Sequence, residues 1–144
     1  MKANTPLIIL MLTGTLTACS QGYDNMQDRT DSPCGDKPNC VSTQDNREQH
    51  HLESFQLTES ATLEAIERVA LSQPRTTTVE KGTHYLHIES KSKIMRFTDD
   101  LELKIVDGFL QVRSESRLGH SDFGVNRKRA EQLRQDLRQA NLIK

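Results

Sequence analysis

Apolar residues fall into three regimes along the chain. Leu7-Ile8-Ile9-Leu10-Met11-Leu12 is an unbroken block, residues 20 to 49 carry few apolar side chains, and from Leu52 onward strand-like and helix-like patterns follow one another. Phe55 and Leu57 alternate as a short strand. Leu63, Ile66, Val69 and Ala70 then recur at helical spacing, with Thr58, Ser60 or Thr62 ahead of them as a cap and Pro74 behind them as a stop. The β-prone runs Thr76–Glu80 and Thr83–Glu89 flank Lys81-Gly82, which fits a hairpin turn. A further strand is predicted from Ile94 to Val106, and Asp107-Gly108 turns it into another that runs from Phe109 to Ser116.

A two-residue turn at Asp107-Gly108 fixes the register of that last hairpin. Val106 then pairs with Phe109, Ile105 with Leu110, Leu103 with Val112 and Glu102 with Arg113. Leu101, Leu103, Ile105, Leu110 and Val112 share one face, and Glu102, Lys104, Gln111 and Arg113 share the other. The same register sets Asp100 opposite Glu115, an unfavourable pairing that calls for a cation between them, Arg96 or Arg117.

The last element is predicted as a helix of about fifteen residues from Asn126, with Ala130, Leu133, Leu137 and Ala140 facing a sheet. Arg127, Lys128 and Arg129 lie in its first turn, where the helix dipole disfavours cations. Either Asp99, Asp100 and Asp122 fold back onto these cations, or the helix start holds an external anion. Six cations against five acids in the surrounding segments favour internal pairing. The expected fold is α+β: an antiparallel sheet of four or five strands with two helices on one face.

The apolar block near the N-terminus is too short to span a bilayer, which takes about 20 residues. Lys2 before it and small residues after it give the pattern of a removable signal over residues 1–18. Its end, Leu16-Thr17-Ala18-Cys19, resembles the bacterial lipobox. That resemblance implies cleavage before Cys19, acyl chains on the new terminus and anchoring in the membrane. With Ser20 rather than an aspartate next in line, it also implies the periplasmic face of the outer membrane. An ordinary secretory signal that leaves Cys19 free is the alternative.

Removal of residues 1–18 leaves 126 of the 144 residues, enough for one domain, taken as residues 50–144. Residues 19–49 read as a tether, because Gln, Asp, Asn, Ser and Pro dominate and little apolar surface is available to offset ordering. Within it, Cys34 and Cys40 are most simply a disulfide in an oxidising compartment. Zinc would need two more ligands, for which His50 and His51 are the candidates; the spacing is not that of a redox Cys-x-x-Cys. The mature chain carries 18 basic and 20 acidic side chains and the sequence has no Trp, which argues against a nucleic-acid binder.

The segments Cys34 with Pro38-Asn39-Cys40-Val41-Ser42, Ser90-Lys91-Ser92, Arg96 to Glu102, and Val112 to Arg129 resemble the domain of unknown function 1499 family, over Cys34 to Leu137. The resemblance implies no established reaction, ligand or cofactor. It marks the polar positions found from register and helix-start arguments as family-motif positions. Thr43 departs from the second serine common after Val41-Ser42.

Two functional readings follow. The leading one is a lipid-anchored, non-catalytic module of the envelope that binds a protein or an anionic ligand. Its candidate surface comprises Arg96, Asp99, Asp100, Glu102, Arg113, Glu115, Arg117, Asp122, Asn126, Arg127 and Arg129, with no metal or cofactor. The alternative is an envelope hydrolase or transferase that uses Asp99, Asp100 and Glu115 as acid and base. Ser116, His120, Ser121 and Asp122 hold the residue types of a hydrolytic triad, but within seven positions they lack its geometry. His84 and His87, three apart on a strand, point to opposite faces and do not chelate one ion.

Overall fold

The computed structural model describes residues 27–144. The signal, Cys19 and the first part of the expected tether lie outside the described residues. The elements in chain order are β1 (Cys40–Ser42), β2 (Phe55–Gln56), α1 (Leu63–Ala70), β3 (Thr76–Lys81), β4 (Tyr85–Lys91), β5 (Thr98–Val106), β6 (Phe109–Ser116) and α2 (Val125–Gln139). The strands make one antiparallel sheet in the order β1-β6-β5-β4-β3, and β2 pairs with the other end of β6. Two helices and six strands give the α+β fold expected, with one strand more because β1 comes from the segment read as a tether.

The β5–β6 register matches the two-residue-turn argument pair by pair, including Asp100 opposite Glu115. Asp107 and Gly108 both take positive φ, 48° and 79°, the geometry a type I′ turn requires. Leu86 and Ile88 of β4, Leu101 and Leu103 of β5, and Leu110 and Val112 of β6 form the apolar face. Leu63, Ile66 and Ala70 of α1 and Ala130, Leu133 and Leu137 of α2 pack over it in a single core. Thr62 caps α1 by accepting from Ala65 N–H at 3.2 Å. Thr58 and Ser60, the other cap candidates, donate instead to the Asn141 carbonyl.

Two expectations are corrected. The strand placed from Ile94 begins only at Thr98, because Arg96 adopts φ 53° and Ser92–Phe97 closes as a loop through a backbone bond between its ends. The tether over 19–49 is corrected for its described part, 27–49, which is packed on the domain. Cys34 and Cys40 form a disulfide, β1 pairs with β6, and Thr30, Asn39, Ser42 and Asp45 are all buried. Asp45 holds this segment: its carboxylate accepts from Arg47 and from Cys34 N–H at 2.9 Å, which keeps its pKa well below the ordinary range. His50 and His51 turn their Nδ1 atoms to the carbonyls of Cys40 and Asp45.

Candidate functional site

Side chains alternate across a strand, so the motif carboxylates separate onto the two faces of the sheet. Asp99 lies on the helix side with Ser114 and Ser116, whereas Asp100, Glu102 and Glu115 lie on the opposite side with His87 and Arg113. The acid cluster of the hydrolase reading is therefore divided by the sheet itself.

On the helix side, Asn126 at the start of α2 is fully buried and joins residues from several segments. Its Oδ1 accepts from Ser114 Oγ at 2.6 Å and from Arg129 Nη1 at 2.8 Å. Its Nδ2 donates to Ser116 Oγ and Asp122 Oδ2, both at 2.8 Å, and to the Asn39 carbonyl at 3.1 Å. Arg129 also meets Asp99 Oδ2 at 2.7 Å. Asp122 accepts from the backbone N–H groups of Gly124 at 2.9 Å and Asn126 at 2.8 Å, so the anion at the helix start is the chain's own. Arg127 donates to the carbonyls of His51 and Gln49. Internal pairing thus accounts for Arg127, Arg129, Asp99 and Asp122.

On the other side, Arg29 lies across the sheet. Its backbone N–H and Nε each donate to Glu102 at 2.8 Å, Nη1 donates to Glu115 Oε2 at 2.7 Å, and Nη2 stands 3.6 Å from Asp100. Glu102, with no exposed surface, also accepts from Tyr85 Oη at 3.1 Å. Burial, reinforced by the Glu102 charge, drives the Tyr85 phenol far above its ordinary pKa. Asp100 accepts from buried His87 Nε2 at 2.7 Å and from Arg117, which also reaches Glu89. Burial pushes the Asp100 pKa up, but the His87 and Arg117 hydrogen bonds outweigh it and hold the carboxyl below its ordinary value.

Two expectations about this face change. Glu102 and Arg113 are opposite in register, yet Arg113 pairs with Glu115 at 3.0 Å and donates to the carbonyls of Ser32 and Pro33. Arg29 already occupies Glu102, which frees Arg113 to bind the covering segment. Arg117 is one of the cations called for beside Asp100, and Arg29 bridges the carboxylates. Arg96 is not there, because its loop carries it away from the sheet, and it has no acidic partner among the described residues. Lys104 adds pairs to Asp28 and Asp31. Arg29, Tyr85 and His87 are the participants that pattern reading misses. The available signal is the excess of acid over base on this face of the hairpin, which demands a cation from elsewhere.

The triad residue types do not converge. Ser116 is bound to Asn126, Ser121 accepts from Phe123 N–H, and Asp122 caps the helix. Among the described residues, no group of three or more His, Cys, Asp or Glu side chains is placed to hold a metal ion. No described helix is long and apolar enough to cross a membrane.

The fold and these paired polar layers define an α+β domain in which the motif side chains Asp99, Asp100, Glu102, Arg113 and Asn126 are buried. The family model described as "Protein of unknown function (DUF1499)" matches residues 32–137, and the chain belongs to that family. The match begins within the segment that covers the sheet. No curated protein and no solved structure matches the chain.

Proposed function

We propose that this is a lipid-anchored envelope protein, held by Cys19 and acting as a non-catalytic binding or structural module. The observation that carries the non-catalytic part is the state of the motif carboxylates. Asp99, Asp100, Glu102 and Glu115 each face arginine, three of them are buried, and they are divided between two faces. A general acid or base must reach a substrate proton, and these groups are closed against their own partners. These paired motif residues brace the sheet and the helix start, and binding falls to the exposed side chains around them.

Support for the address is the Leu16-Thr17-Ala18-Cys19 pattern behind a short apolar block. The intramolecular disulfide fits an oxidising compartment. Mass spectrometry of the N-terminal peptide of protein extracted from membranes tests the anchor. The expected species begins at Cys19 and carries acyl chains; a free Cys19 thiol or a retained leader overturns it. For the non-catalytic part, turnover of any envelope ester, amide or glycoside that Asp100→Asn abolishes in a still-folded protein would restore the hydrolase reading.

A further inference from the structure

We propose that the end of the sheet carrying the β4–β5 and β6–α2 loops is a docking surface for an anionic lipid bilayer. The antiparallel order brings these loops together: Asp99 pairs with Ser116, and Arg117 N–H donates to the Thr98 carbonyl. Together they expose large apolar side chains, Ile94 at 88%, Met95 at 67%, Leu118 at 65% and Phe123 at 90% of their full surface. Phe97 and Val125 add to the same end. Large apolar side chains gathered at one end of a charged domain mark an interaction site.

Charge selects the occupant. Lys91, Lys93, Arg96 and Lys128 stand among these apolar residues, and none has an acidic partner among the described residues. Arg29, Lys104, Arg113, Arg127 and Arg129, by contrast, are each paired with a carboxylate or a backbone carbonyl. The single acid in either loop, Asp122, is turned inward onto Gly124 and Asn126. Exposed Ile, Met, Phe and Leu ringed by unpaired Lys and Arg match a bilayer surface that offers phosphates outside and hydrocarbon beneath.

The placement suits a tethered domain, and the inference rests on the envelope reading while sharpening its partner. The Arg29 backbone N–H binds Glu102 and Asp28 pairs with Lys104, so the described chain begins beside the middle of β5, about 20 Å along the strand from its Thr98 end. From Cys19 to Gln27 an extended chain spans at most about 29 Å. That reach exceeds the distance along β5 to the loop end, so an acyl group on Cys19 and the loop tips can sit in the same leaflet.

The test uses the chain from residue 19 with Cys19→Ser, so that no acyl chain contributes and failure of this inference stays separate from failure of the anchor. It retains every described residue. The sequence has no Trp, so Ile94→Trp places a sole indole at the tip, and Phe109→Trp places one at the opposite end. With vesicles of phosphatidylcholine plus phosphatidylglycerol, the Ile94→Trp protein should sediment with lipid and shift its emission to the blue, whereas the Phe109→Trp protein should bind without a shift. Adding Lys93→Gln with Arg96→Gln should lower partitioning roughly 25-fold, about fivefold for each cation removed from an anionic surface. Unchanged emission of a folded Ile94→Trp protein with these vesicles overturns the proposal, as does equal binding to pure phosphatidylcholine. A concentration-dependent dimer abolished by Phe123→Ser would assign the tip to a second copy and overturn it as well.

Discussion

Asn126 uses both ends of its side-chain amide inside the protein, and both are satisfied by residues from separate parts of the chain. Removing that amide leaves Ser114, Ser116 and the Asn39 carbonyl short of partners in a buried place. Asn126→Ala should therefore cost about 2–3 kcal/mol in urea unfolding, since each orphaned buried polar group carries a penalty of that order; a loss near zero would contradict the network. Asp122 makes a different prediction. Asp122→Ala should cost about 1 kcal/mol as a lost helix cap and vacate the backbone N–H groups it holds. Sulfate should then raise the Tm of the variant more than that of the parent, as anions take the emptied helix start. The helix-start cations and Asp122 are legible locally, since they lie within one short stretch of chain. The Asn39 contact is not, because nothing in the spacing of residues so far apart links them.

Hairpin β5–β6 and helix α2 are legible because each carries its own geometric rule, a two-residue turn with strict alternation and an apolar stripe at helical spacing. The loop at Ser92–Phe97 imitates a strand because Ile94 and Phe97 are strand formers, yet their side chains, like that of Met95, stay outside the core. The N-terminal covering segment misleads for the opposite reason. Its order comes from a disulfide, from Asp45 and from ion pairs with the sheet, none of which alters apolar content. Cys34→Ser with Cys40→Ser should cost about 2 kcal/mol, the loop-closure value for so short a ring. Hydrogen exchange should quicken across residues 34–42 while α1 keeps its protection. Equal acceleration in both would show that the segment is not a separately held element.

At the scale of the whole molecule, the sheet has an apolar face closed by two helices and a charged face closed by the N-terminal segment. The charged face sets the acid limit of the fold. In the unfolded chain Asp100 titrates at about pH 3.9, and in the folded protein it titrates lower. Its contribution is therefore complete above the unfolded value and is lost as pH falls through the folded one. Urea midpoints should hold from about pH 7 to 5 and fall steeply below about pH 4, and Asp100→Asn should flatten that fall. An unaltered acid limb in Asp100→Asn would remove this residue from the account.

The interlock between Arg29 and Glu102 joins the covering segment to the sheet, and a double-mutant cycle of Arg29→Met and Glu102→Gln addresses it most directly. Read by urea unfolding, Arg29→Met should lose about 2–4 kcal/mol, because Glu102 is left buried without its counter-ion. Glu102→Gln should lose less, because Arg29 is partly exposed and keeps Glu115. The pair should then recover about 2 kcal/mol of the summed loss as coupling. Additive losses with no coupling would mean that the charged motif is not an internal clamp, and would return its acids and bases to the surface as candidates for ligand binding.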